Sequence, residues 1–234
     1  MSAGNSQSRS GHNILRRLRR LCHVPVAVGP DRMTLAELRA SFARGGPDMR
    51  AVATHLLAKS IIAREFNADA PALLAMARHP QTDAAFAGLI AATIAEAQAF
   101  QLVVDSTRAA NGRGPSIELD KAALTPIVEV AEFAVQSDPD RAEARITLAV
   151  LRVFTDRPAD ARQLLIALDL ADATPGSRAN ACGARALAEI ELGQLAHARR
   201  IIHGPDANPH SGWVLPLAVA HLAVTEGDSG SVVS

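Results

Sequence analysis

The sequence predicts an all-α protein, and two observations carry this prediction. Hydrophobic residues make up 48% of the 234 residues, but aromatic residues only 3%, and tyrosine is absent. A core built from Ala, Leu, Ile and Val suits closely packed helices better than a β-sandwich or barrel. In addition, the long apolar segments repeat with the period of a helix, and none alternates as a half-buried strand does.

The first 30 residues form a basic segment without any acidic side chain. Four of its five arginines lie in the run Ile14–Leu21, and serines precede that run. This composition is typical of a disordered basic tail. An organelle transit peptide, a bacterial type III secretion signal and a short binding arm remain open as alternatives.

An N-terminal helical region is predicted over residues 31–104. Thr34 and Glu37 have the spacing of a capping box, which predicts that the first helix begins there. Asp48 is a candidate N-cap for the second helix. The four predicted helices cover about residues 34–44, 48–66, 71–78 and 82–104. Residues 105–118 contain Asn111–Pro115, which cannot continue a helix, and are predicted to be a loop.

Residues 119–234 are predicted to form helices that follow one another in pairs. The clearest pair turns at Gly193, and Ser177 is a candidate N-cap for its first helix. The predicted helices cover about residues 119–136, 141–154, 158–170, 177–192, 195–203 and 213–225.

These pairs repeat along the chain. Ala149, Ala186 and Ala220, which occupy the middle of each first helix, fall 37 and 34 residues apart. With Gly193 and Gly227 at the turns, this period resembles that of the tetratricopeptide repeat, in which helix-turn-helix units stack into a solenoid. The chain departs from that family at its two aromatic positions, which hold Arg145, Cys182, Pro216, Arg152, Glu189 and Ala223.

The resemblance implies that the first helix of each unit lines a groove for a peptide or partner helix. The groove positions are largely aliphatic, which fits an apolar segment better than a charged peptide terminus. We also keep open that these side chains pack against the protein's own helices. The predicted partner-binding residues are Val150, Val153, Leu187, Ile190, Val214, Leu217 and His221, with Ile146 and Val224 beside them.

The segment Trp213–Val224 contains His221 as its one polar residue. A solenoid needs a terminal cap with a polar outer face, because a contiguous apolar patch is rarely left in water. We therefore expect this helix to pack against a second copy of the chain, another protein, or the N-terminal helices.

The sequence contains no pattern that predicts catalysis, phosphate binding or metal binding. Gly227–Gly230 has the letters of a serine-protease nucleophile motif, but a helical chain lacks that scaffold, and Gly112–Gly114 lacks the context of a phosphate loop. The histidines are not spaced as metal ligands. They are His197, His203, His210 and His221, with Cys182 nearby in the sequence. We expect no enzyme activity, metal or cofactor.

The predicted function is that of an adaptor, assembly factor or chaperone-like protein that binds another protein or peptide. Balanced charge, 24 basic against 24 acidic residues, makes nucleic acid an improbable partner. Cys22 and Cys182 form no CxxC pair, which favours a reducing cytoplasm, and we expect no membrane span. The alternatives are a regulatory or nucleic-acid-linked protein that uses its N-terminal arginines, and a helical enzyme. Those arginines are Arg16, Arg17, Arg19 and Arg20.

Overall fold

A computed structural model describes residues 32–46, 48–109, 119–166, 168–170, 173–208 and 210–227. Every regular element in these ranges is helical, so the predicted all-α class is confirmed. The predicted basic tail, most of the predicted loop and residues 228–230 of the Gly-Asp-Ser-Gly motif lie outside the described residues. The helices are α1 (Leu35–Arg44), α2 (Met49–Ala63), α3 (Phe66–Ala77), α4 (Ala84–Ala109), α5 (Lys121–Ser137), α6 (Ala142–Phe154), α7 (Pro158–Ile166), α8 (Pro175–Glu191), α9 (Leu195–Ile202) and α10 (Val214–Thr225).

The chain divides into two compact units, Met1–Ile90 and Ala91–Ser234, and the division falls within α4. This helix continues to Ala109, so residues 105–109 of the predicted loop are helical. Side chains one turn apart support the extension. Gln101 Nε2 donates to Asp105 Oδ1 at 2.8 Å, and Thr107 Oγ1 donates to the Val103 carbonyl at 2.7 Å.

In the first unit, α2 packs against both α1 and α3. The predicted capping box is present, since the Thr34 side chain accepts from Glu37 N and the Glu37 carboxylate accepts from Thr34 N. Asp69, which is buried, receives two hydrogen bonds from Arg39, at 2.8 and 2.9 Å. The charge pair is therefore hydrogen-bonded on both carboxylate oxygens, as a buried carboxylate requires.

The second helix ends earlier than the sequence predicted. Helix α2 stops at Ala63 because Arg64 adopts the left-handed conformation, with φ of 62°. The next helix begins at Phe66, not near Pro71, and Asp48 makes no side-chain capping bond. Arginine is uncommon in the left-handed conformation, so the end of α2 could not be predicted from the residue type at position 64.

The second unit contains α5–α10, which follow each other in the predicted order. Helix α6 packs on α5, α7 and α8, and α8 packs in turn on α7, α9 and α10. The bounds differ from the prediction by two residues or more at three places. Helix α5 begins at Lys121 instead of residue 119. Helix α7 ends at Ile166 instead of Leu170, and α8 begins at Pro175 with Thr174 as its N-cap, whose Oγ1 accepts from Ser177 N at 3.1 Å.

Three residues with positive φ follow the first helices of the successive pairs. Asp156 after α6 has φ of 58°, Gly193 after α8 has 73°, and Gly227 after α10 has 76°. The left-handed conformation ends a helix and lets the chain reverse, and glycine adopts it most readily. The three turns therefore repeat the same backbone geometry at the spacing found in the sequence.

One described helix has the length and composition that a membrane span needs. It is the Ala84–Arg108 part of α4, with mean hydropathy 1.5, and 56% of its most apolar window is buried inside the protein. This run was missed in the expectation of no membrane span.

Candidate partner-binding site

Five of the seven predicted partner-binding residues lie in the core of the second unit. Their exposed fractions are at most 6%, and they belong to one hydrophobic cluster shared by α6, α8 and α10. The structure thus shows the packing role that was kept open for them. These five residues are Val150, Val153, Leu187, Ile190 and Val214.

The other two, Leu217 and His221, are partly exposed on α10. With Ala220 and Val224 they occupy positions i, i+3, i+4 and i+7, which lie along one face of a helix. We call these four residues the α10 stripe. All four are partly exposed, whereas Leu215, Ala218 and Leu222 of the same helix are buried.

The equivalent positions of the two preceding first helices are buried. In α6 all four lie within the hydrophobic cluster that includes α8, and in α8 they lie beneath α10 or within that cluster. The same face is thus covered on α6 and on α8 but partly open on α10. The equivalent residues are Ile146, Ala149, Val150 and Val153 in α6, and Gly183, Ala186, Leu187 and Ile190 in α8.

Further apolar residues adjoin the stripe. Pro216 is exposed and Ala223 is partly exposed, and both lie one turn from Ala220, whereas Val219, which is 42% exposed, lies farther round the helix from the stripe. On α8 the position equivalent to Ala223 is Glu189, which contacts Arg162 of α7 and His197 of α9. This side of a first helix therefore faces the second helices of the pairs, and on α10 it carries aliphatic side chains alone.

The single polar side chain of the stripe has a partner within the protein. His221 Nε2 lies 2.7 Å from Glu191 Oε1, at the end of α8. The imidazole is thereby held on the protein surface with one nitrogen occupied, while its side chain is 32% exposed. The hydrogen bond reduces the cost of placing apolar groups against this side chain.

The first turn of α10 is anchored by Asn180 of α8. Asn180 is buried, its Oδ1 accepts from Trp213 N at 2.9 Å and Val214 N at 3.2 Å, and its Nδ2 donates to Glu96 Oε1 at 3.3 Å. The Trp213 ring meets Phe100 edge-on, with centroids 5.7 Å apart. Helix α10 therefore begins at a defined position on the second unit.

Gly183 allows α10 to approach the backbone of α8. A Cβ at this position would lie 2.5 Å from Leu215 N and 2.5 Å from the Val214 carbonyl carbon. Neither Asn180 nor Gly183 was identified from the sequence. A glycine inside a strong helical pattern is a signal of close backbone approach, and Gly183 could have been found on that basis.

Two ionisable groups of the second unit, Glu189 and Cys182, lie close to charged or titratable side chains. Glu189 is buried, with Oε1 at 3.1 Å from Arg162 Nε and Oε2 at 3.4 Å from His197 Nδ1, where no hydrogen bond forms. Burial raises the pKa of the Cys182 thiol, and the nearby charge of Asp206 raises it further. Across the described ranges, no group of three or more His, Cys, Asp or Glu side chains is arranged to hold a metal ion.

Comparisons with protein-family models, with curated proteins and with solved structures find no match to this chain.

Proposed function

We propose that the protein is a tetratricopeptide-like repeat protein whose function is to bind another protein through the α10 stripe. Such a protein acts as an adaptor, an assembly factor or a chaperone-like binder without a cofactor. The partner places an apolar helical face on the stripe and on the adjoining residues Pro216 and Ala223.

The order of packing in the second unit supports the repeat. Each first helix contacts its own second helix and the next first helix, as α6 does with α7 and α8, and α8 with α9 and α10. The left-handed turns at Asp156, Gly193 and Gly227 recur at the same positions. This succession of contacts between neighbouring units is the defining property of helical-repeat solenoids.

A single observation carries the binding proposal. The face that is buried on α6 and on α8 is partly exposed on α10, although three of its four residues are apolar there and the fourth, His221, is hydrogen-bonded to Glu191. Helix positions that face only water ordinarily carry polar residues. Because the repeat covers this face with a helix twice, a helix is the occupant expected for it.

Site-specific photocrosslinking in the producing cell tests the proposal. A photoreactive amino acid at Val224 is expected to yield adducts of defined mass, and Leu217→Glu is expected to abolish them. The same amino acid at Ile166, whose side chain is 67% exposed at the end of α7, is the matched control. Absence of adducts at Val224, or an equal yield from the Ile166 position, would overturn the proposal.

A further inference from the structure

We propose that α1 is a hinged strap that opens about Gly45 and Gly46 while α2 and α3 stay folded, with Arg39 as the latch that keeps it closed. The strap lies in the first unit, whereas the α10 stripe lies in the second. Three features of the first unit support this device: the small apolar contact of α1, the charges around Arg39 and the backbone of the two glycines.

Helix α1 has a small apolar contact with the rest of its unit. Leu38 is the one buried residue among its ten, and Leu35 and Phe42 are half-buried. Helix α2, on which α1 packs, buries eight of its fifteen residues. A segment that buries few apolar side chains opens at a lower free energy than the core of the same protein. We therefore expect α1 to open without the unfolding of α2.

Polar contacts hold α1 in place at two points. Arg39 contacts two carboxylates, since its Nε and Nη2 donate to Asp69 of α3 at 2.8 and 2.9 Å, and its Nη1 lies 2.9 Å from Glu65 Oε2. Lys59 of α2 donates to the Met33 carbonyl, just before α1. The Arg39 and Glu65 side chains are 36% and 53% exposed, so salt screens their attraction. The latch therefore weakens as the ionic strength rises.

The chain between α1 and α2 has a backbone that glycine adopts most readily. Gly45 has φ of 71° and Gly46 has φ of 139°, and both residues are exposed. A Cβ at either residue would have no neighbour within 4 Å, so the pair has room to rotate. Glycine reaches many backbone conformations without a steric cost. Two such residues in succession form the hinge of the strap.

Opening of the strap changes the surroundings of the two carboxylates. When α1 is closed, Asp69 is 8% exposed and both of its carboxylate oxygens accept from Arg39. When α1 opens, the guanidinium leaves and water hydrates the carboxylates in its place. Asp69 and Glu65 lie side by side, because both contact the same guanidinium. The strap thereby controls access to a pair of acidic groups on the first unit.

Hydrogen exchange of the full-length chain, followed by mass spectrometry, tests whether α1 opens alone. We expect the amides of residues 41–44 to exchange together, and several-fold faster than those of residues 53–60 in α2. Low concentrations of urea should change the α1 rate little, because opening of one short helix exposes little surface. Equal rates and equal urea dependence in α1 and α2 would overturn the proposal, because the unit would then open as a whole.

Variants of Arg39 test the latch. Arg39→Gln is expected to raise the exchange rate of residues 41–44 several-fold and to leave the α2 rate unchanged. Arg39→Lys is expected to give a smaller increase, since lysine keeps the charge but not the planar fork. Arg44→Gln removes a positive charge from an exposed position of the same helix and is the matched control. An unchanged α1 rate in Arg39→Gln, or an equal rise in α2, would exclude the latch.

Gly46→Ala tests the hinge. The alanine side chain disfavours φ of 139°, and opening of the strap relieves this strain. We therefore expect faster exchange in α1 and an unchanged rate in α2. Gly193→Ala, which places the same substitution in a turn of the second unit, is expected to leave the α1 rate unchanged. If Gly46→Ala also left it unchanged, the hinge would not lie at this glycine.

Discussion

Asn180 caps a helix that begins 34 residues later in the chain, because its side-chain oxygen accepts a hydrogen bond from the backbone N–H of Val214 at 3.2 Å. The residue at the N-cap position itself, Trp213, makes no side-chain capping bond. The N–H groups of Trp213 and Val214, at the start of α10, thus find their acceptor on α8. One buried amide therefore links the start of α10 to the preceding helix pair.

Replacing Asn180 with alanine is expected to lower the free energy of unfolding by about 1–3 kcal/mol, since buried N–H groups of α10 lose their acceptor. Urea denaturation followed by circular dichroism measures this change. Glu96→Gln is the matched control, because its side-chain oxygen can still accept from Asn180 Nδ2. Equal stability of the Asn180→Ala variant and the unmodified chain would contradict the capping role.

Gly183→Ala is expected to destabilise the second unit by about 1–3 kcal/mol through overpacking, because the added methyl group meets the Val214–Leu215 backbone. Gly193→Ala provides a comparison of a different kind. Its added methyl group has no neighbour within 4 Å, so the cost of about 1–2 kcal/mol comes from the left-handed conformation alone. Only Gly183→Ala should also displace α10, which amide hydrogen exchange of α10 would detect.

Glu189 is buried and Arg162 is half-exposed, so removing one partner of this charge pair is expected to change stability differently from removing the other. Arg162→Met leaves the buried carboxylate with a weaker set of partners and is expected to cost about 1–3 kcal/mol. Glu189→Gln removes the buried charge and leaves Arg162, whose side chain is 50% exposed, free to be hydrated. We therefore expect the glutamine variant to be the more stable of the two in thermal unfolding. The reverse order would show that the carboxylate does not depend on Arg162.

Cys182 is expected to react slowly with iodoacetamide near neutral pH, because burial and Asp206 raise the pKa of its thiol above the ordinary 9.0. Asp206→Asn is expected to lower this pKa and to increase the rate of alkylation in a Cys22→Ser background. The raised pKa also means that the thiol supports the fold fully below pH 9.0 and progressively less as pH rises through its folded value. An unchanged rate in Asp206→Asn would contradict the electrostatic effect.

The helical content and most helix positions followed from the sequence because they depend on local patterns. The capping box at Thr34 and the starts of α6, α7, α9 and α10 lie within one residue of the predictions. The break at Arg64 did not follow, because arginine has no intrinsic preference for the left-handed conformation that it adopts there. The helical extension to Ala109 depends on side-chain hydrogen bonds that a composition argument does not weigh.

Only part of the candidate partner-binding site could be predicted from the sequence. Helical periodicity identified the apolar residues, but it does not tell which apolar face is buried within the chain. Val150 and Leu187 are therefore core residues, while Leu217 and His221, with the same periodicity, are partly exposed. The distinction depends on which helix is covered by another described helix, as α6 is by α8 and α8 is by α10. Asn180 was missed because its polar contacts lie 34 residues away along the chain.

The left-handed turn at Gly227 also has a consequence for how a chain built from helix pairs could gain a further pair. Its backbone has nearly the same φ as Gly193, so the segment from residue 194 to residue 227 spans one complete period, from turn to turn. Duplication of a gene segment of this length would insert a new helix pair without altering the geometry on either side. The inserted pair would bury the α10 stripe and present a copy of it one period further on. Repeat number and the position of the proposed binding surface are therefore linked by the same turn.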